Sequence, residues 1–198
     1  MFDFLKKKQI PKGLQAVDLG LPSGLKWGSC NVGAQLPYEF GTYFSWGETA
    51  PKAEYTKENC PCENKTPKEL ESAGVLDVNG NLNPEFDAAF KSCGECWRIP
   101  TLADFKELFE CCNWIWTEQG DVDGYKICSK KNRNCIFLPA AGYCHDSSVD
   151  FAGNDGGYWS STVAQDSSRA NSLDFLSGMK KMFLSNRYNG RTIRPVCR

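Results

Sequence analysis

A chain of 198 residues with 41% hydrophobic content can bury one sizeable core, and nothing in it forces a second domain. Its 23 basic and 24 acidic residues nearly cancel, so no global field recruits nucleic acid or an anionic membrane.

The opening MFDFLKKKQIPKG, residues 1–13, reads as a short leader in which a few apolar residues precede Lys6, Lys7 and Lys8. That is the reverse of a secretory signal, and no later run approaches the length of a membrane span. The expectation is a protein with no export signal and no membrane insertion, cytoplasmic as synthesised, with residues 14–198 forming one domain. Val17 and Leu19 then lead into Pro22-Ser23-Gly24, and Leu25, Trp27, Ser29 and Asn31 continue beyond it, the pattern of a strand, a turn and a strand. PYEFGTYFSWGE supplies Tyr38, Phe40, Tyr43, Phe44 and Trp46 to a core.

Residues 51–96 turn polar and read as an insertion with one short helix. Thr66 is its N-cap, Pro67 takes the first helical position, Glu69 closes the capping box and Gly74 ends it. Asp77 to Asn83, DVNGNLN, spaces oxygen-bearing side chains as a calcium loop does but lacks the Asp at its fifth position and the closing Glu. A polar turn at Asn79-Gly80 is the simpler reading. CWRIPTLADFKELFECCNW holds the principal helix, capped by Thr101 with Asp104 at the third position, and Phe105, Leu108, Phe109 and Cys112 share one face. Beyond it GYKICSK, CIFLPAAGY, GGYWSST, NSLDFLS, KKMFLSN and RTIRPVC read as strands. A helix followed by a run of strands indicates an α+β chain.

An odd count of cysteines, 11, argues for reduced, small apolar core residues rather than a disulfide framework. The rival is zinc, since Cys60-Pro-Cys62 and Cys93-Gly-Glu-Cys96 could each supply two thiolates, although the first pair is tighter than the usual two-residue gap. Vicinal Cys111-Cys112 places one sulfur in the core from a helix end.

Taken in order, VDLGLPSGLKWGSCNVGA, GTYFSWGE, GNLNPEFDAA, CWRIPTLADFKEL, IFLPAAGY, GGYWSS and RTIRPV resemble the Fibrobacter succinogenes major paralogous domain, a family common in gut Bacteroidales and their phages. The resemblance runs from about Val17 to Val196. It implies a C-type lectin-like fold: small antiparallel sheets, one principal helix, long irregular loops and paired N- and C-terminal strands. It also implies kinship with the formylglycine-generating enzyme fold and with variable proteins diversified by retroelements. Fold alone does not choose among these functions.

Sulfatase-activating relatives use a reactive cysteine pair with copper, and no cysteine here matches that pair residue by residue. Cys144-His145-Asp146 looks like a nucleophile set, but neighbours on a strand point to opposite faces, and a turn after Gly142-Tyr143 accounts for it better. No catalytic residue, metal or cofactor is therefore expected. Calcium-dependent sugar binding would need a Glu-Pro-Asn or Gln-Pro-Asp loop and a Trp-Asn-Asp strand; neither loop phrase is present, and Trp159 precedes Ser160-Ser161. Sugar binding without calcium stays open.

Binding is the function that remains. In the retroelement-diversified relatives the variable segment stops just before a fixed terminal phrase, here RTIRPV, which places a candidate segment at 160–191. Its expected anchors, with those of the terminal phrase, are Trp159, Leu173, Phe175, Arg187, Gly190, Ile193, Arg194 and Pro195. The residues between them are expected to face outward as the ligand surface: Val163, Gln165, Ser167, Arg169, Asn171, Ser172, Asp174, Leu176, Met179, Lys181, Phe183, Ser185, Tyr188 and Arg191. The partner would be a protein or glycan on a cell or virion surface, met by a virion-borne protein. Two alternatives are a cytoplasmic or structural module without a variable ligand, and a formylglycine-generating-type oxidoreductase. The stretch GMKKMFLSN also admits plain packing, with Met182 and Leu184 under the sheet and their neighbours ordinary surface.

Overall fold

The computed structural model describes residues 13–198, so the leader expectation for residues 1–12, with its three lysines, lies outside the described part. The chain opens on a hairpin of β1 (Ala16–Asp18) and β2 (Lys26–Gly28) and then runs irregularly to α1 (Pro67–Ser72) and α2 (Ala88–Cys93). Next come β3 (Trp97–Arg98) and the principal helix α3 (Leu102–Cys111). Nine strands follow: β4 (Cys112–Gln119), β5 (Val122–Ser129), β6 (Cys135–Pro139), β7 (Tyr143–His145), β8 (Ser148–Asp150), β9 (Gly156–Val163), β10 (Arg169–Leu176), β11 (Met179–Asn186) and β12 (Val196–Cys197). The strands form small antiparallel sheets in the orders β1-β2-β12-β3, β4-β5-β6, β7-β8 and β9-β10-β11, an α+β arrangement.

The helices start where their caps require. Thr66 and Glu69 complete one capping box and Thr101 and Asp104 another, each satisfying two backbone donors that a helix start leaves orphaned. Helix α2 was not foreseen: six residues are too few to show a period, and its cap, Asp87, accepts from Ala89 N, Phe90 N and Ile99 N. Residues 51–96 are also more than an insertion, because Leu70, Val75, Leu76, Leu82, Ala88, Ala89 and Cys93 are buried in one core with Trp46, Trp97 and Trp159.

The first and last described strands share one sheet, though not as paired neighbours. The terminal strand β12 lies against β2 and β3, Val196 opposite Trp27 and Arg98, while β1 sits on the far side of β2. Trp27 and Val196 are fully buried and Val17 only half so, and the central place therefore falls to the strand with more apolar surface to hide.

The sheet β9-β10-β11 separates two cores. One side carries Tyr158, Leu173 and Phe175 into a core with Trp27, Phe105, Leu108, Tyr125 and Ile127; the other turns Trp159, Val163 and Ala170 toward Phe44, Trp46 and Tyr188. Two arginines lock the returning chain. Arg194 is fully buried, donates to Gly28 O, Phe137 O and Asn31 Oδ1, and burial pushes its pKa down to about 10. Arg187, also fully buried, donates to the carbonyls of Cys62, Lys65, Asp166, Ser167 and Arg169. Carbonyl partners offset the cost of taking each guanidinium out of water.

Most cysteines are buried, as small core residues should be, but Cys128 and Cys135 form a disulfide. They face each other directly across β5 and β6, a register that spacing alone does not reveal. Cys60, Cys62 and Cys93 share a core while Cys96 is exposed, and among the described residues no three His, Cys, Asp or Glu gather to hold a metal ion. No helix among the described residues is long and apolar enough to cross a membrane.

Candidate ligand groove

The site grows from one hairpin. Ser177-Gly178 joins β10 to β11, with Gly178 at φ +80° where a side chain would be strained, and the register passes unbroken through the turn. Opposed residues lie on one face, so Leu176 with Met179, Asp174 with Lys181 and Ser172 with Phe183 look one way. Leu173 with Met182 and Phe175 with Lys180 look the other, toward the core. Alternation thus orders β10 and β11 as the sequence implied.

At the hairpin tip the first face borders a groove of about 210 Å³ lined by Tyr143, Asp155, Gly156, Gly157, Asp174, Phe175, Leu176, Met179, Lys181, Phe183 and Arg191. The glycine pair makes it possible. A Cβ at Gly156 would stand 2.0 Å from the Phe175 ring on one side of the sheet, and one at Gly157 would stand 2.5 Å from Arg191 Nη1 on the other. Arg191 donates from Nη1 and Nη2 to the two carboxylate oxygens of Asp174, at 2.6 and 3.2 Å, and lies between the rings of Tyr143 and Trp159. The buried Nε of Arg191 has no hydrogen-bond partner among the described residues. Burial, and then the Asp174 charge, raise the Asp155 carboxyl above the ordinary range.

Six of the expected contact residues therefore come together here: Asp174, Leu176, Met179, Lys181, Phe183 and Arg191. Five positions expected to face outward are buried instead, namely Val163, Ser172, Ser185, Tyr188 and Arg191. Away from the tip this face is covered by the second core, so alternation selects a face but solvent does not follow. Ser172 and Ser185 answer one another at 2.9 Å, and Ser172 also donates to Asp174. Val163 and Tyr188 pack with Trp46, and Arg191 lines the groove as a wall under its two rings.

Asn171 stitches a bulge, donating to Thr162 O and Val163 O. Gln165, Ser167 and Arg169 sit on or beside the loop between β9 and β10, where Asp166 caps Ser168 N and Arg169 N; none of them lines the groove. Tyr143 and Asp155 were missed, since each is a lone residue on a separate segment and only folding brings it to the groove.

A larger cleft of about 370 Å³ lies between α2, the start of α3 and β9. Three of its charged side chains are already committed: Asp77 caps the turn at Asn79 and Asn81, Asp87 caps α2, and Arg98 pairs with Asp104. The Cys144-His145-Asp146 triplet is split as strand geometry demands. Cys144 is buried, its thiol pushed up to about 11, while His145 is exposed beside Asp146 at 3.4 Å. Comparison of the chain with family models, with curated proteins and with solved structures found no match.

Proposed function

We propose that this chain is a non-catalytic binding domain of C-type lectin-like architecture whose C-terminal face recognises a protein or glycan on a cell or virion surface. The observation that carries the reading is the tip of β10-β11, where Leu176, Met179 and Phe183 are all exposed beside a groove. Apolar side chains of that size clustered on a surface mark an interaction site. Methionine fits a surface that meets partners of differing shape. A non-catalytic role is supported by the split of Cys144 from His145 and by the raised thiol, which holds Cys144 in its unreactive form. On this reading the protein is virion-borne, and retroelement diversification acts on the segment 160–191. A near-copy of its coding sequence beside a reverse transcriptase gene is the genomic sign expected.

The experiment is binding of the parent, Phe183→Ser and Met179→Ser to intact gut Bacteroidales cells, with thermal melts run in parallel. The variants should melt with the parent yet bind more weakly by about 1 kcal/mol or more. Variants that melt and bind like the parent remove the hairpin tip from the ligand surface.

A further inference from the structure

Building on the reading that this face binds a partner, we infer that the partner enters as an extended acidic peptide, added to the open edge of β11 as a further strand. The two edges of the sheet are treated differently. Along β9 the outer edge is filled: Trp159 N donates to Thr192 O, Ser161 N to Pro100 O and Val163 N to Gly80 O. Along β11, among the described residues, no backbone hydrogen bond leaves the outer edge between Met179 and Ser185. An eight-residue edge without proline or bulge is a template for strand addition.

Charge selects the occupant. Lys180 and Lys181 flank the edge, one on each face of the sheet, and neither is ion-paired among the described residues. The carboxylate opposite Lys181 is Asp174, already engaged by both Nη atoms of Arg191. Aromatic faces hold the ammonium groups instead, Lys180 over Trp114 and Tyr125 and Lys181 over Phe183. An incoming strand with neighbouring acidic residues meets one cation on each side. A second copy of the chain does not fit so well, because β11 holds no acidic residue and self-pairing would bring four ammonium groups to one seam. A side chain of the added strand on the groove face lies beside Phe183 and Met179, where an apolar residue buries surface from both partners.

The test is selection from a displayed library of random octapeptides against the immobilised protein, followed by fluorescence anisotropy on the enriched sequences. Enriched peptides should be acidic, and Lys180→Glu with Lys181→Glu should weaken them by about tenfold or more, the corresponding glutamine pair by less. Strand addition has its own signature: N-methylation of alternate peptide amides abolishes binding in one phase and is tolerated in the other, since only one edge of the peptide faces β11. Slowed amide exchange confined to β11 would accompany it. Binders that are not acidic, or that tolerate both methylation phases, overturn the inference. Binding of the parent to a neutral glycan array that is lost in Phe183→Ser, with acidic peptides ignored, overturns the strand and leaves the binding reading standing. Failure of the parent to bind peptide, glycan or cells overturns both, and a dimer protecting β11 without peptide assigns the edge to a second copy.

Discussion

The hairpins β4-β5 and β10-β11 are built alike, each of two eight-residue strands joined by a two-residue turn, and each leaves its outer strand at a sheet edge. Their edge strands dispose of aromatic side chains in opposite ways. In the first, Trp114 stacks on Phe109 and meets Tyr125 edge-on, and Trp116 meets Tyr125 and Phe175, so the aromatic payload turns inward. In the second, Phe183, Met179 and Leu184 of the edge strand remain exposed, and the lysines between them rest on ring faces. The same local geometry thus serves packing in one place and presentation in the other. What differs is the neighbour: β4-β5 has the core face of β10 against it, and the tip of β11 has solvent and a groove.

Four changes would break or sharpen that contrast. Tyr125→Ala removes the ring that both hairpins share with Phe175, and should cost about 3–5 kcal/mol in denaturant unfolding. A loss below about 1 kcal/mol would mean the first hairpin is not packed as described. Asp174→Asn leaves the buried Arg191 guanidinium without its carboxylate, and a loss of about 2–3 kcal/mol is expected by the same measurement. Reducing Cys128–Cys135 frees a short loop at the far end of the first hairpin; about 2 kcal/mol should be lost, with no change in ligand binding. Smallest in stability is Phe183→Ser, under about 1 kcal/mol by thermal melt, and it is the one variant of the four that should affect binding more than folding. If it instead unfolds the protein as Tyr125→Ala does, the two hairpins are alike in use as well as in build.

Much of the architecture was legible from local chemistry. Thr66 and Thr101 with their acidic partners announced two helix starts, because capping is settled within four residues. The alternation of Leu173 and Phe175 with Ser172, Asp174 and Leu176 announced two strand faces, and the Ser177-Gly178 turn carried it to Met179, Lys181 and Phe183. Arg194 was expected as an anchor of the terminal phrase, and it is buried with carbonyls as partners, as a charge taken out of water requires. Helix α2 and strand β4 did not announce themselves: one is too short for a period, and the other, CNWIWTEQ, has bulky residues at three successive positions that blur alternation.

The sequence by itself determined which face of β10 and β11 each residue takes, because that depends only on the period of the strand and the length of the turn. It could not determine which part of that face meets water. Ser172 and Phe183 are opposed on one face, yet one is fully buried and the other half exposed, because Ser172 sits on the central strand opposite Trp159, on the side that the segment through Phe44 and Trp46 covers, whereas Phe183 sits on the open edge strand. That cover is held by long-range backbone bonds, Phe44 N to Arg191 O and Trp46 N to Arg187 O, whose partners lie far apart in the chain. Tyr143 and Asp155 reach the groove by the same means. Local pattern sets direction, whereas exposure is set by whatever distant segment happens to pack on top, and only the tertiary structure decides that.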